Sequence, residues 1–205
     1  MRITELRDLV IAAVVLSFVF IYQGIDHLVS VVSGSPIAYL MLFGTGLLFV
    51  ALSFIGHEMA HRYFARRYGC FAEFRLWKFG LLMAVLLAFG TNGAFIFAAP
   101  GAVVIYPKFD LWGRAHHLHK KQLGIVSIAG PVVNMILAGM FAVLGFMFGS
   151  MFFLGTMINI WLALFNTLPI GPMDGRKIMH WNKKVWAVFL VIIIVLFVFS
   201  FVFLS

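Results

Sequence analysis

Charge is scarce in this 205-residue chain: Asp, Glu, Lys and Arg make up 11% of it, and seven residues are acidic. A water-soluble fold of this length needs more charge than that to cover its surface. Cysteine is scarcer still, at one residue, which excludes an intramolecular disulfide framework and any cysteine-cluster metal site. Apolar residues fill the space: 63% of the chain is hydrophobic, 24 residues are Phe, and the mean hydropathy is +1.07. Such a composition excludes disorder and collagen-like repeats and describes a protein that crosses a membrane several times. The net charge of +8 does not point to nucleic acid, because every basic residue lies close to an apolar run. The lipid bilayer is the expected partner, with no nucleic acid.

Five stretches read as spans, at about 9–32, 37–65, 123–148, 151–168 and 185–204. Arg2 and Arg7 precede the first, as in a secretory signal. No small-x-small cleavage site follows its apolar run, so a retained anchor helix is expected. Gly149 and Ser150 form a tight turn between two later spans. The apolar stretch 80–106 differs, because Gly90-Thr91-Asn92-Gly93 divides it into halves too short to cross. Arg75 and Lys78 stand before it, and Lys108 and Arg114 after it. It reads as a re-entrant hairpin over about 71–106, with β structure allowed, shielded from lipid by protein. With five spans and a cytoplasmic N-terminus, all 15 basic residues fall on the cytoplasmic side, the bias that orients membrane proteins. The expected fold is therefore an all-α polytopic membrane protein, one domain over 1–205, with about five transmembrane helices plus the hairpin. It is expected in the cell membrane, with its N-terminus and active-site side cytoplasmic.

His57-Glu58-Met59-Ala60-His61 is an HExxH sequence in the second span. Residues four apart share a helix face, so both imidazoles can reach one metal. Glu58, beside the first of them, can take a proton from a water at that metal. With seven His and three Glu, chance supplies such a motif about 0.004 times in this chain. A plain pair of interface histidines would leave a Glu inside an apolar helix unexplained, where ionisable groups are costly and usually functional.

A catalytic zinc takes three protein ligands, so one is missing. Glu5, Asp8 and Asp26 surround the first span, and Glu73 and Asp110 flank the hairpin. Asp174 closes Asn166-Thr167-Leu168-Pro169-Ile170-Gly171-Pro172-Met173-Asp174-Gly175, just after a span. Two prolines and two glycines there forbid regular helix. Depth agrees: His61 lies five residues before Arg66, and Arg176 and Lys177 follow Asp174 almost at once. The expected ligands are His57, His61 and Asp174, holding one Zn²⁺ per chain.

HEMAH in one span, Gly130-Pro131-Val132-Val133-Asn134 in another and NTLPIGPMDG after a third resemble the site-2 protease family of intramembrane zinc metalloproteases. The likeness covers roughly 37–177. It implies that His57, His61 and Asp174 hold zinc, that Glu58 is the catalytic base, and that the substrate is a membrane-spanning protein. It also implies a part for Asn134 in positioning substrate or stabilising the reacting carbonyl; hydrogen bonding between helices is the alternative for Asn134 and for Asn166. Met173 and Gly171 depart mildly from the family's final motif. No room is found for a PDZ or CBS domain, so a minimal catalytic core is expected. A metal transporter would need a polar path across the bilayer, and the outer halves offer little beyond Asp26 and His27. An inactive scaffold would be expected to lack a member of the set, and none is missing. His116, His117 and His119 read as a polar interfacial loop. Nothing in the sequence fixes the oligomeric state.

Overall fold

In an apolar layer the backbone must satisfy its own polar groups, and long runs of Leu, Ala, Val and Phe do so as helix. The computed structural model describes residues 2–23, 36–109 and 115–203. In chain order these form α1 (Ile3–Gln23), α2 (Pro36–Arg67), β1 (Phe71–Leu76), α3 (Lys78–Gly90), β2 (Gly101–Tyr106), β3 (Lys108–Phe109), β4 (Ala115–His116), α4 (Lys120–Phe148), α5 (Met151–Thr167), α6 (Asp174–Trp181) and α7 (Lys183–Phe203). The end of the first expected span, with Asp26 and His27, lies outside the described residues, as do Asp110 and Arg114.

Among the described residues, three helices are long and apolar enough to cross a membrane: Phe43–Arg67 within α2, α4 and α7. Helix α5 is apolar but has 17 residues, about 26 Å at the usual helical rise against a hydrocarbon layer of roughly 30 Å. Outer faces suit lipid. Helix α7 exposes Val188, Val191, Val195, Val198 and Val202, and buries Ile193 and Ser200. Continuous apolar surface of that kind marks contact with a membrane or another protein.

Helix α2 packs against α1, α4 and α5. Leu9, Ala12, Leu16 and Val19 make one buried stripe on α1, spaced by three or four residues, in a core shared with Phe49, Val50 and Phe54 of α2. Phe49 also meets Phe141 of α4, ring centroids 4.7 Å apart. Gly149, at φ +124°, makes the turn from α4 to α5, a conformation that glycine adopts freely.

The segment expected as a re-entrant hairpin is strand, helix and strand. Residues 81–88 are mostly Leu, Met and Ala with no period-two alternation, so the first half is helical. Helix α3 stops at the predicted break: Asn92 and Gly93 adopt φ +54° and +80°, and the Gly93 N–H caps the Ala88 carbonyl at 2.7 Å. Strand β2 then returns antiparallel to β1, with Phe71 opposite Tyr106 and Leu76 opposite Gly101.

The two edges of this ribbon differ. Phe74 and Leu76 of β1 direct their N–H groups away from β2, to the carboxylates of Glu5 (3.2 Å) and Asp8 (3.4 Å) on α1. Helix α1 thus seals that edge, as edge strands require. The residues opposite, Val103 and Gly101, must then direct their own backbone groups outward on the other side. Glu5 has a second partner, the Arg62 guanidinium of α2, at 2.9 Å, and both residues are buried. One carboxylate therefore ties α1, α2 and β1 together.

Removing one partner of a buried pair strands the other's charge, whereas replacing both by apolar side chains does not. Glu5→Ala is expected to lower stability by about 3–5 kcal/mol, and Glu5→Met with Arg62→Met by clearly less. Denaturant unfolding in mixed micelles measures both.

Candidate metal centre

His57 and His61 stand one turn apart on α2, with Nε2 atoms 2.9 Å from each other. Asp174, at the start of α6, brings Oδ2 to 3.4 Å from His57 Nε2 and 2.9 Å from His61 Nε2. All three side chains are buried, and among the described residues they are the one group with ligand atoms close enough to share a metal. His117 is exposed and His119 precedes α4; neither joins such a group.

The surroundings decide which nitrogens face the common point. His57 Nδ1 lies 2.5 Å from Asn134 Oδ1, and His61 Nδ1 lies 2.7 Å from the Val126 carbonyl of α4. The orientation of the Asn134 amide follows from its other end, where Nδ2 donates to the Ser53 carbonyl (3.2 Å) and to Asn159 Oδ1 (2.9 Å). Asn159 is oriented in turn, because its Nδ2 donates to Ser53 Oγ (2.7 Å) and the Gly155 carbonyl (2.8 Å). Both imidazoles therefore face acceptors at Nδ1 and carry their protons there. Each Nε2 lone pair is left free beside the Asp174 oxygen, the arrangement that suits a metal-ligating histidine.

Three lone pairs this close repel unless a cation lies among them. Two neutral imidazoles and one carboxylate are a donor set that zinc accepts. The space for an ion exists because Gly130 has no side chain. A Cβ built there would lie 2.4 Å from His61 Nε2 and 2.7 Å from His57 Nε2, filling the point at which the ligands converge. The cavity bounded by these residues, Glu58 and the outward edge of β2 measures about 30 Å³, room for a water-sized occupant.

Glu58 shares this cavity. It is 5% exposed, and its Oε2 has no hydrogen-bond partner; the Val103 backbone N–H faces its carboxylate. A buried carboxylate oxygen without a partner is rare outside functional sites. Asp174 arrives by the irregular route the sequence implied. Helix α5 ends at Thr167, Gly171 takes φ +53°, and α6 then packs so tightly on the end of α5 that a Cβ at Gly175 would lie 1.9 Å from the Thr167 carbonyl oxygen. Lys177 Nζ lies 3.3 Å from Asp174 Oδ1, leaving Oδ2 to the histidines.

Asn134, left open by the sequence between helix pairing and a part in the chemistry, is fully buried and touches the His57 ring. Asn166 lines the cavity, and its Nδ2 donates to the Leu162 carbonyl at 2.9 Å. Sequence reasoning missed Ser53, Asn159 and the Val126 carbonyl. A signal existed for Asn159, a polar residue within an apolar helix. Ser53 lies one turn before His57, on the same face. Nothing in the sequence points to Val126, whose contribution is a main-chain atom.

Fold and site together define a helical membrane protein built around a histidine–carboxylate metal-binding group. No family model matches the chain, and no solved structure matches it. Curated proteins do. "Putative zinc metalloprotease MJ0611" of Methanocaldococcus jannaschii is 36% identical over 190 residues, covering 90% of this chain and 87% of that protein. "Putative zinc metalloprotease YwhC" of Bacillus subtilis is 30% identical over 156 residues, 63% of this chain and 64% of the other. "Putative zinc metalloprotease Rip3" of Mycobacterium tuberculosis is 25% identical over 181 residues, 82% of this chain and 39% of the other. The chain belongs to the family of the Methanocaldococcus protein.

Two substitutions test the centre without touching a ligand. Gly130→Ala is expected to abolish stoichiometric metal binding, because the new methyl group occupies the ligand point. Asn134→Ala, which frees His57 Nδ1 from its acceptor, is expected to weaken metal affinity about 10- to 100-fold. Elemental analysis after competition with a graded chelator reads both.

Proposed function

We propose that this protein is a zinc metalloendopeptidase of the site-2 protease kind, cleaving membrane-spanning segments of membrane-anchored proteins. The observation that carries this reading is the shared cavity: two histidines with free Nε2 atoms, Asp174, an unpartnered Glu58 oxygen and a strand edge border one buried space. The kinship with proteins named zinc metalloproteases supports the same conclusion.

His57 and His61, through Nε2, and Asp174, through its carboxylate, would hold the zinc. When bound, the ion supplies Lewis acidity at the scissile carbonyl and lowers the pKa of the attacking water. Glu58 takes that water's proton at Oε2 and delivers it to the leaving amine. Asn134 acts through His57 as a positioning residue. It keeps the Nδ1 proton in place and the ring in line.

A helical substrate hides its scissile amide in i→i−4 hydrogen bonds, so it must unwind at the point of cleavage. An extended stretch then needs new backbone partners. The outward edge of β2 offers them at Gly101 and at the Val103 carbonyl, beside Glu58, while the opposite ribbon edge is occupied by α1. Addition of the unwound segment to β2 as a third strand would carry its carbonyls past the catalytic groups.

For the topology, five spans are kept, with α1 and α5 joining α2, α4 and α7 and the β1–α3–β2 segment re-entrant. The basic residues then lie on one side, taken as cytoplasmic, with the metal centre near it.

Glu58→Gln is expected to keep zinc at the wild-type level and lose cleavage of a membrane-spanning peptide in detergent by at least 10²-fold, the lower scale for a missing general base. Wild-type turnover by that variant would sink the assignment. For the topology, single cysteines at Lys78 and Lys108, in a chain with Cys70 replaced, should label from the same side of oriented vesicles. Labelling from opposite sides would restore a sixth crossing.

A further inference from the structure

A second hollow lies between the start of α4 and α6 and takes no part in the chemistry above. Lys120, Leu123, Arg176, Lys177 and His180 line it, and it measures about 290 Å³, large enough for a phosphate-bearing headgroup and too small for a folded partner. Arg176 and His180 are four apart on α6 and so share a face. Lys120 opens α4 and Lys183, just after α6, opens α7, both helices apolar enough to span. The hollow therefore sits at the basic end of the spanning helix α4, against the short helix α6 that leads into α7. Trp181 marks the same level, its indole lying against Gly124 of α4, as interfacial tryptophans do.

The balance of charge in this hollow is one-sided. Among the described residues no carboxylate pairs with Lys120, Arg176 or His180, and Lys177 meets only Asp174. Cationic side chains drawn around one space repel each other unless an anion shares it. Basic clusters beside a spanning helix at a membrane surface attract anionic headgroups. Leu123 adds an apolar wall, which suits the root of an acyl chain and gives nothing to a free ion.

We propose that this hollow binds the phosphate of an anionic phospholipid headgroup. The site rests on the membrane reading of the fold and is independent of proteolysis. Lys177 lines both this hollow and the metal cavity, so the bound phosphate sits one side chain away from Asp174. Inorganic phosphate offers the same charge without the acyl chain, and the lipid is the source to which the proposal commits.

The test uses the full chain in nanodiscs and in detergent, with phosphatidylglycerol against phosphatidylcholine, and counts retained lipid by native mass spectrometry. Wild type should retain one phosphatidylglycerol per chain in preference to phosphatidylcholine. Lys120→Gln with Arg176→Gln, both exposed positions, should weaken that retention about tenfold or more, given the contribution of each basic side chain near an anionic surface. Lys183→Gln with Lys184→Gln removes equal charge outside the hollow and should change it by less than about threefold. Lys120→Arg with Arg176→Lys keeps the charge and should keep the preference, which covers the case in which the first pair fails to fold. Equal loss from both Gln pairs, no preference between the lipids, or displacement of the lipid by millimolar inorganic phosphate would overturn the proposal. Zinc content measured on the same preparations separates a failure here from a failure of the metalloprotease reading. A chain that does not enter nanodiscs overturns the membrane reading and this proposal with it.

Discussion

The site depends on how closely α4 passes the face of α2 that carries His57 and His61. At Gly130 the approach leaves no room for a Cβ, and on either side of that point α4 supplies the acceptors for the two rings, the Val126 carbonyl for His61 and Asn134 for His57. One helix thus both makes space at Nε2 and holds the protons at Nδ1. Pro131 follows at once inside α4. Lacking an N–H, it leaves the carbonyl of Ser127 without its helical donor, and Ser127 also borders the cavity. The Gly-Pro-x-x-Asn pattern can be understood residue by residue as the construction of one wall of a metal site.

The polar chain behind that wall runs through an otherwise apolar bundle. Ser53, Asn134 and Asn159 come from α2, α4 and α5, and all are fully buried. Each donor in the chain has an acceptor: Asn134 on Asn159 and Ser53, Asn159 on Ser53 and Gly155, Ser53 on the Phe49 carbonyl. A fully satisfied network of this kind specifies one arrangement of the helices, whereas one unsatisfied member would be costly in a low-dielectric interior. Glu58 Oε2 is left outside the network, unpartnered. The contrast separates groups that fix geometry from one that no partner holds.

Much of this was legible in the sequence, and the reasons differ by element. HExxH could be read because a helix places residues four apart on one face, and Asp174 because acidic residues are few and its backbone is irregular. The break at Gly90-Thr91-Asn92-Gly93 was visible in its turn residues, but the helical form of α3 before it was not separated from a strand. Short apolar runs leave that choice open. The β1–β2 pairing joins residues 71 and 106, and its sealed edge depends on Glu5 and Asp8, nearly 70 residues earlier. No local pattern encodes such contacts. The hydrogen bond from Asn159 to Ser53 spans 106 residues, and the Val126 acceptor is a backbone atom whose identity no side chain announces.

The central claim is that His57, His61 and Asp174 form one zinc centre. X-ray absorption at the zinc edge, on purified protein whose metal content has been counted, reads that donor set directly. One ion per chain is expected, with two imidazoles in the scattering, nitrogen and oxygen donors at about 2.0–2.2 Å, and no sulfur. Asp174→Ala is expected to lose zinc to a chelator that leaves the wild type loaded. A spectrum with a single imidazole or a sulfur ligand, or an Asp174→Ala variant that holds zinc as tightly as the wild type, would contradict it.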